Sequence, residues 1–420
     1  MIGLSSIFEF NPWWESGGIH REFERFHRRM LFSVLTPNLQ KRPIDVIVGL
    51  RRVGKTVLMY HLIDHLLKNG VSARRILYFS FDVERQDIGR IIREYEERAL
   101  KARVNERRCY LFFDEIHKLA DWENKIKVLY DLNPNVKMVL SGSASLNLMK
   151  RSRESLAGRA VFHTLSPLKY AEFLQLKGEK IPRETDFEIH ERRLSILFGE
   201  YLAKGFPETL EMSENEAKNY VRELVVERII YRDIPESFRI EDIEIVRTLA
   251  NYCFDNPGAI INVDSLSKDL GRHRKTIRNA LNYLELSFLI KRVSNLRKSL
   301  LASSRKNKKA YPLHQTLATT RDEDKILETT VRSEINADYY WKKGNSEVDF
   351  VIRNNEIIPV EVKNTEEVKT RDLNPLFKFS KLFNARKAIV LYRGVENELQ
   401  KDGVKISLIP IVKFLCYHKP

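Results

Sequence analysis

The stretch GLRRVGKT at residues 49–56 decides how the first part of this chain is expected to fold. The apolar run at 44–48 before it is typical of a buried strand, and the run at 56–63 after it has the apolar spacing of a helix. Glycines let the backbone turn closely around an anion, which then faces the loop amides and the helix N-terminus. The pattern therefore predicts a phosphate-binding loop between a strand and a helix.

The residues of this loop have distinct expected roles. Lys55 reaches the β- and γ-phosphates of a nucleotide, and the hydroxyl of Thr56 ligates Mg²⁺. ATP and Mg²⁺ are therefore the expected cofactors. The residues expected to contact the nucleotide are Gly49, Arg51, Arg52, Val53, Gly54, Lys55, Thr56 and Val57, with Ser141 further along the chain.

A second nucleotide signal is CYLFFDE at 109–115, an apolar strand that ends in two carboxylates. Asp114 is expected to hold Mg²⁺, directly or through water, and Glu115 to activate the attacking water. Ser141 ends the next strand, where it is either a sensor of the γ-phosphate or part of an ordinary turn. Arg159 precedes a further strand and is either an arginine finger, in cis or in trans, or a solvated arginine.

These motifs resemble those of one group, the archaeal and bacterial AAA+-type ATPases that carry a C-terminal nuclease-like domain of unknown function. The resemblance covers most of the chain and is strongest over 40–175 and 325–365. It implies a three-layer α/β/α P-loop core in which the catalytic glutamate follows the Mg²⁺ aspartate, and it supplies no substrate. The shared stretches are RRVGKT at 51–56, FFDEIH at 112–117, SGS at 141–143, GR at 158–159 and LSPL at 165–168.

A basic stretch near the middle of the chain predicts a winged-helix module. Residues 264–271 are typical of a short helix closed by glycine, 275–286 of a second helix, and 289–293 of a strand. The alternative is that this module only packs against the ATPase part and its charges are solvated. The residues expected to contact DNA are Arg272, Arg274, Lys275 and Arg278.

Two apolar runs, 346–352 and 357–363, predict a β-hairpin. A three-residue loop would pair Arg353 with Ile357, whereas a two-residue loop would mix apolar and charged side chains on both faces. The longer loop is therefore favoured. With this longer loop, one face of the hairpin is entirely apolar. Its residues are Val348, Phe350, Ile352, Ile358, Val360 and Val362.

The same register places Asp349 opposite Glu361, with Lys363 on the same face, in the D…E-x-K pattern of restriction-endonuclease-like α/β folds. Two adjacent carboxylates repel each other, and a divalent cation would relieve that repulsion and activate water. Lys363 would orient the water or stabilise developing negative charge. Glu328, on a predicted helix, is a supporting carboxylate. The alternative is a structural hairpin with a surface charge cluster.

Length and composition limit the remaining choices. A chain of 420 residues is too long to fold around a single hydrophobic core, so several domains are expected. Its formal net charge of +15 favours a polyanionic partner such as DNA. Three distant cysteines indicate no disulfide framework and so favour a reducing cytoplasm. No signal peptide and no stretch of 18 apolar residues is evident, so no membrane association is expected. A homo-oligomer remains open, since a trans role of Arg159 would need one.

The predicted organisation has five parts, and the function expected from it is an ATP-hydrolysing AAA+-type protein that acts on or with DNA. The alternative is a nucleotide-controlled switch whose C-terminal domain only docks DNA or a partner. The parts are an N-terminal segment at 1–38, a P-loop ATPase core at 39–170, a helical lid at 171–240, a winged-helix module at 241–300 and a nuclease-like domain at 301–420.

Overall fold

The chain forms two compact units, each with its own sheet. Unit 1 is Met1–Ser166 with Glu236–Arg239, and unit 2 is Pro167–Pro235 with Ile240–Pro420. Among the described residues, no helix combines the length and apolar character that a membrane span requires. The computed structural model describes residues 6–84, 86–143, 155–238, 240, 242–299 and 307–417.

The strands are numbered in chain order. They are β1 Ile44–Gly49, β2 Ile76–Ser80, β3 Cys109–Asp114, β4 Val136–Ser143, β5 Ala160–Thr164, β6 Ala259–Ile260, β7 Ile290–Asn295, β8 Lys309–Pro312, β9 Tyr339–Lys343, β10 Ser346–Arg353, β11 Ile357–Val362, β12 Lys387–Tyr392, β13 Asn397–Lys401 and β14 Val404–Pro410.

The α-helices are numbered in the same way. They are α1 Ser6–Glu9, α2 Trp13–Ser16, α3 Arg21–Glu24, α4 Leu31–Leu35, α5 Lys55–Lys68, α6 Ile88–Tyr95, α7 Trp122–Leu132, α8 Tyr170–Leu176, α9 Phe187–Ala203, α10 Glu214–Tyr220, α11 Ile234–Ser237, α12 Ile243–Asp255, α13 Val263–Asp269, α14 Arg274–Leu286, α15 Glu323–Ile335, α16 Asn374–Phe383 and α17 Ile411–Tyr417.

Unit 1 is built on a parallel five-stranded sheet in the order β2-β3-β4-β1-β5. Every residue of β1 and β3 is buried, as expected for strands covered on both faces. This confirms the strands predicted before the phosphate loop, before Asp114, up to Ser141 and after Arg159, and β2 is the fifth strand of the sheet. Because all five run in one direction, their carboxyl ends share one edge of the sheet, where β1 leads into helix α5 and β3 ends at Asp114.

The N-terminal segment covers the edge strand β2 with side chains. The Asn11 amide accepts from the Tyr78 N–H at 2.7 Å and donates to the Tyr78 carbonyl at 2.9 Å, as a neighbouring strand would. The indole N–H groups of Trp13 and Trp14 both donate to the Ile76 carbonyl. These contacts satisfy backbone groups that an edge strand otherwise leaves open.

Unit 2 contains a nine-stranded mixed sheet in the order β13-β14-β12-β11-β10-β9-β7-β8-β6. The elements around the predicted winged helix follow in the chain order α12, β6, α13, α14, β7 and β8. Strand β8 pairs antiparallel with both β6 and β7. The boundary predicted at residue 300 therefore falls between two paired strands. Strand β7 also pairs in parallel with β9, which joins this part to the C-terminal strands in one sheet.

The predicted hairpin has the favoured register. Strands β10 and β11 pair Arg353 with Ile357 and Phe350 with Val360, so the loop has three residues. Phe350 and Val360 pack with α15 in one core cluster. The prediction for Val348 was wrong, since it packs with Val351 and α16 in a second cluster. The pairing of β10 with β9 is irregular between these two valines, which turns Val348 to the other face.

Candidate functional site

The phosphate loop joins β1 to α5 at the carboxyl edge of the unit 1 sheet. A Cβ on Gly49 would lie 2.2 Å from the Leu165 carbonyl oxygen, so only glycine fits at the end of β1. Gly54, at the start of α5, has a φ of +90°, which other residues rarely adopt. Arg52 also has a left-handed φ of 62° and is exposed, so the loop holds a tight turn.

The Lys55 side chain lies under this loop. Its ammonium donates to the Leu50 carbonyl at 2.9 Å and to the Gly49 carbonyl at 3.3 Å, and the residue is only 5 % exposed. The remaining predicted contact residues follow the turn, with Val53 buried and Arg51 and Val57 half-buried. The loop therefore holds one buried ammonium against two of its own carbonyl groups, within the turn whose amides are expected to face a phosphate.

Asp114 lies directly beside the first turn of α5. The Thr56 hydroxyl donates to Asp114 Oδ2 at 2.6 Å, and the Tyr78 hydroxyl donates to the same oxygen at 2.8 Å. Burial raises the pKa of Asp114, and the nearby charge of Glu115 raises it further. A cation would favour the ionised carboxylate, so Thr56 and Asp114 fit a shared Mg²⁺.

Glu115 extends beyond the strand tip with a left-handed φ of 51°. Its backbone N–H donates to the Ser141 hydroxyl at 3.2 Å and to Asp114 Oδ1 at 3.1 Å. Its carboxylate lies 3.9 Å from the Lys55 ammonium and 3.2 Å from His117 Nδ1. The structure thus brings the predicted base close to Lys55. It also brings His117, which the sequence patterns did not indicate, next to the Glu115 carboxylate.

Ser141 is fully buried against the same carboxylate. Its hydroxyl donates to Asp114 Oδ1 and accepts from the Glu115 N–H. Both hydrogen bonds fix the acidic tip of β3. This placement favours a positioning role for Ser141 over the predicted contact with a phosphate.

Arg159 lies at the amino ends of the strands, opposite the carboxyl ends where the phosphate loop lies. This position corrects the prediction of a finger acting in cis. It precedes β5, and its carbonyl accepts from the N–H of Ile44 at 2.8 Å, at the amino end of β1. A strand of this length separates it from the phosphate loop by about 16 Å. Its guanidinium forms two hydrogen bonds to Asp131, at 2.9 and 3.0 Å. A role in trans stays a prediction.

Arg29 is a loop contact that the sequence patterns did not indicate. It is 5 % exposed, and its guanidinium donates to the Val53 carbonyl at 2.5 Å and to the Ser166 carbonyl at 2.9 Å. It therefore ties the phosphate loop to the chain that follows β5. Only its position in a basic stretch, close to a strand–loop–helix motif, could have drawn attention to it.

A second group of predicted residues lines a cavity of about 180 Å³ in unit 2. Glu328 from α15, Asp349 from β10 and Lys363 after β11 all border it. Asp349 Oδ2 accepts from the Val362 N–H at 2.9 Å, and the Lys363 ammonium donates to Glu361 Oε1 at 2.7 Å. The structure thus brings together the residues of the predicted D…E-x-K pattern and Glu328.

Glu328 borders this cavity and Glu361 lies next to its wall, between Val360 and Val362, and both carboxyl groups have raised pKa values. Burial and then the charge of Asp349 raise the pKa of Glu361 to about 8 and that of Glu328 to about 7. Glu361 Oε2 is buried and accepts no hydrogen bond from the described residues. These features fit a cation that would stabilise the ionised forms. Within the described chain, however, no group of three or more His, Cys, Asp or Glu side chains is arranged to hold a metal ion.

The four predicted DNA contacts lie at or before the N-terminus of α14 and are exposed. Arg272 pairs with Asp242 at 2.9 Å, and Arg274 pairs with Asp264 at 2.8 Å. Neither Lys275 nor Arg278 forms an ion pair with a residue that the structure describes. Of these four side chains, Lys275 and Arg278 therefore carry the positive charge that no described acid balances through an ion pair.

Family comparisons match three parts of the chain. Residues 41–174 match an AAA domain, residues 197–320 match the domain of unknown function DUF8612, and residues 323–414 match the domain of unknown function DUF4143. The second and third descriptions state no activity.

Similar proteins occur in an archaeon and a bacterium. An uncharacterized protein of Methanocaldococcus jannaschii is 28% identical over 394 residues, which are 88% of this chain and 87% of that protein. An uncharacterized protein of Haemophilus influenzae is 27% identical over 258 residues, which are 59% of this chain and 61% of that protein.

Solved structures give weaker similarities. The Aeropyrum pernix ORC1 protein in complex with DNA has a TM-score of 0.29 at 12% identity, over 74% of this chain and 92% of that chain. C. elegans PCH-2 has a TM-score of 0.26 at 14% identity, over 44% of this chain and 52% of that chain. At these TM-scores, neither similarity supports a conclusion about the fold or the function of this chain. The parallel sheet and the phosphate loop at its carboxyl edge agree with the match of residues 41–174 to an AAA domain.

Proposed function

We propose that the protein binds and hydrolyses ATP with Mg²⁺ at the carboxyl edge of the unit 1 sheet. The observation that carries this proposal is the contact between the Thr56 hydroxyl and Asp114 at 2.6 Å. This distance supports a shared cation, because a Walker A hydroxyl and a Walker B carboxylate this close together can both bind one Mg²⁺. The AAA domain match over residues 41–174 supports the same activity.

Each residue has a separate task in this mechanism. Lys55 exchanges its hydrogen bonds with the Leu50 and Gly49 carbonyls for bonds to the β- and γ-phosphates. Glu115 accepts a proton from the attacking water. Mg²⁺ supplies charge stabilisation at the transferring phosphoryl group when it is bound. Ser141 and Tyr78 hold Asp114 in place through their hydroxyls.

The Lys55→Ala variant is expected to bind ATP roughly 100-fold more weakly than the parent, because it loses charge-assisted hydrogen bonds to phosphate. Calorimetric titration of the full chain with ATP and Mg²⁺ measures the change. Lys68→Ala is the matched control, since Lys68 lies at the other end of α5 and is 60 % exposed. A parent protein that gives no signal with any nucleotide would overturn the proposal.

We propose further that helix α14 contacts DNA. Support comes from the order of elements from α12 to β8, in which α14 is the second helix of a helix–turn–helix followed by a β-hairpin. Lys275 and Arg278 are exposed on this helix, and the chain has a formal net charge of +15. Phosphate contacts of such side chains dominate affinity for DNA.

Replacing Lys275 and Arg278 together by alanine is expected to weaken DNA binding and to reduce the slope of log affinity against log salt by about 2, roughly one unit per lost phosphate contact. Fluorescence anisotropy with duplex DNA at several salt concentrations measures both effects. A variant with Lys387 and Lys405 replaced by alanine removes the same charge elsewhere in unit 2. Equal losses in both variants would point to net charge alone and refute a contact at α14.

We also propose that Asp349 and Glu361 bind a divalent cation beside the cavity bordered by Glu328, Asp349 and Lys363, and that this site cleaves phosphodiester bonds. The buried Oε2 of Glu361, which accepts no hydrogen bond from described residues, supports a cation there. The second candidate function is a nucleotide-controlled switch in which this domain only docks DNA or a partner. It is favoured by the lack, within the described residues, of a group of three or more metal-binding side chains.

A further inference from the structure

Two side chains of strand β8, which is not part of the D…E-x-K hairpin, contact carboxylates of unit 2. The strand pairs with β7 and β6, the strands that flank helices α13 and α14 in the chain, and so it lies in the part of the sheet next to the proposed winged helix. Lys309 and Tyr311 alternate along it with Ala310, so their side chains leave the strand on the same face. Both side chains end at carboxylates.

Tyr311 holds the carboxylate of α15. Its hydroxyl donates to Glu328 Oε2 at 3.1 Å, and its side chain is fully buried. A Cβ on Gly258 would lie 3.1 Å from the same hydroxyl, so the glycine leaves room for it. The ring also packs on Phe350 of β10, with centroids 5.7 Å apart. Tyr311 therefore has little freedom to turn away from Glu328.

Lys309 brings a positive charge to the same cluster. Its ammonium lies 2.5 Å from Glu347 Oε1, and the residue is 7 % exposed. Burial opposes the charged form, but the charges of Glu328 and Asp349, together with the hydrogen bond and charge of Glu347, outweigh burial and raise the pKa of Lys309. An ammonium in this position offsets part of the negative charge that a metal ion would otherwise neutralise.

We propose that Tyr311 and Lys309 are positioning residues of the carboxylate site, with opposite effects on its affinity for a divalent cation. Tyr311 orients Glu328, the supporting carboxylate, toward the cation that Asp349 and Glu361 bind, and so strengthens binding, whereas the Lys309 ammonium repels the cation and weakens binding. The winged-helix part thereby contributes to the site through β8. This inference rests on the proposed cation site in unit 2.

The test is calorimetric titration of the full chain with Mn²⁺ in the absence of nucleotide. The binding that is lost in Asp349→Ala defines the site. Tyr311→Phe keeps the buried ring and is expected to weaken this binding about tenfold, as the loss of an outer-shell hydrogen bond does. Lys309→Met removes one like charge and is expected to strengthen the binding about tenfold. Lys309→Arg is expected to restore the parental affinity.

Two controls separate this role from general effects on stability. Lys342→Met breaks another ion pair of Glu347, at 2.6 Å, and is expected to change the affinity much less than Lys309→Met. Tyr339→Phe removes a hydroxyl from strand β9, which β7 separates from β8, and is expected to leave the affinity near that of the parent. If no Mn²⁺ binding depends on Asp349, the proposed cation site itself fails. If the site binds Mn²⁺ but the Tyr311 and Lys309 variants shift together or not at all, the positioning roles fail.

Discussion

Replacement of Glu115 by glutamine is expected to leave ATP affinity near that of the parent and to slow hydrolysis by a factor of roughly 100 to 10,000. The substitution keeps the shape of the side chain and the backbone hydrogen bonds to Ser141 and Asp114. It removes the carboxylate that accepts a proton from water. Binding and turnover should therefore separate, whereas Lys55→Ala reduces both.

Phosphate release under single-turnover conditions, together with calorimetry of ATP binding, measures these two quantities for Glu115→Gln. Glu97→Gln is the matched control, because Glu97 is an exposed acid of the same unit. Hydrolysis at the parental rate would remove Glu115 from its proposed role and would direct attention to His117, whose Nδ1 lies 3.2 Å from the Glu115 carboxylate.

Asp349→Ala is expected to reduce Mn²⁺-dependent DNA cleavage about 1,000-fold or more and to leave ATP hydrolysis unchanged. The loss of a cation ligand costs several kcal/mol of transition-state stabilisation. Asp349 is in unit 2, whereas Lys55, Thr56, Asp114 and Glu115 are in unit 1. Cleavage of plasmid DNA and ATP turnover can be measured on the same preparation.

Glu356→Ala is the control for this variant, since Glu356 lies in the loop of the same hairpin and is exposed. It should cut DNA at the parental rate. Absence of cleavage by the parent with every divalent cation would contradict the nuclease proposal. The docking switch would then be the better account of this domain.

Local patterns were sufficient for the phosphate loop and for the hairpin. The strand, glycine turn and helix around Lys55 are contiguous in sequence, so their order fixes the geometry of the loop. The pairing of Arg353 with Ile357 followed from the need to keep charges off the apolar face. The position of Arg159 could also have been predicted from the sequence. A residue that directly precedes a strand parallel to β1 lies at the amino ends of the strands, away from the phosphates.

Contacts between distant segments could not be predicted in this way. Asn11 completes the hydrogen bonds of β2, and Arg29 binds the Val53 carbonyl, although neither position has a periodic or motif signal. Tyr78 belongs to an apolar strand, and its bond to Asp114 appears only once β2 and β3 are paired. Val348 changed face because of an irregularity opposite another strand, β9.

The parallel pairing of Ser294 and Asn295 with Tyr339 and Tyr340 limits how this protein can have diversified. A recombination event that replaced only the part before residue 300 with a poorly matched segment would leave β9 paired with β10 alone and would disrupt the pairing of β8 with β7. An unpaired edge of this kind invites aggregation. Inheritance should therefore favour transfer of residues 241–420 as a block, and natural shuffling points should be rarer inside this block than at its ends.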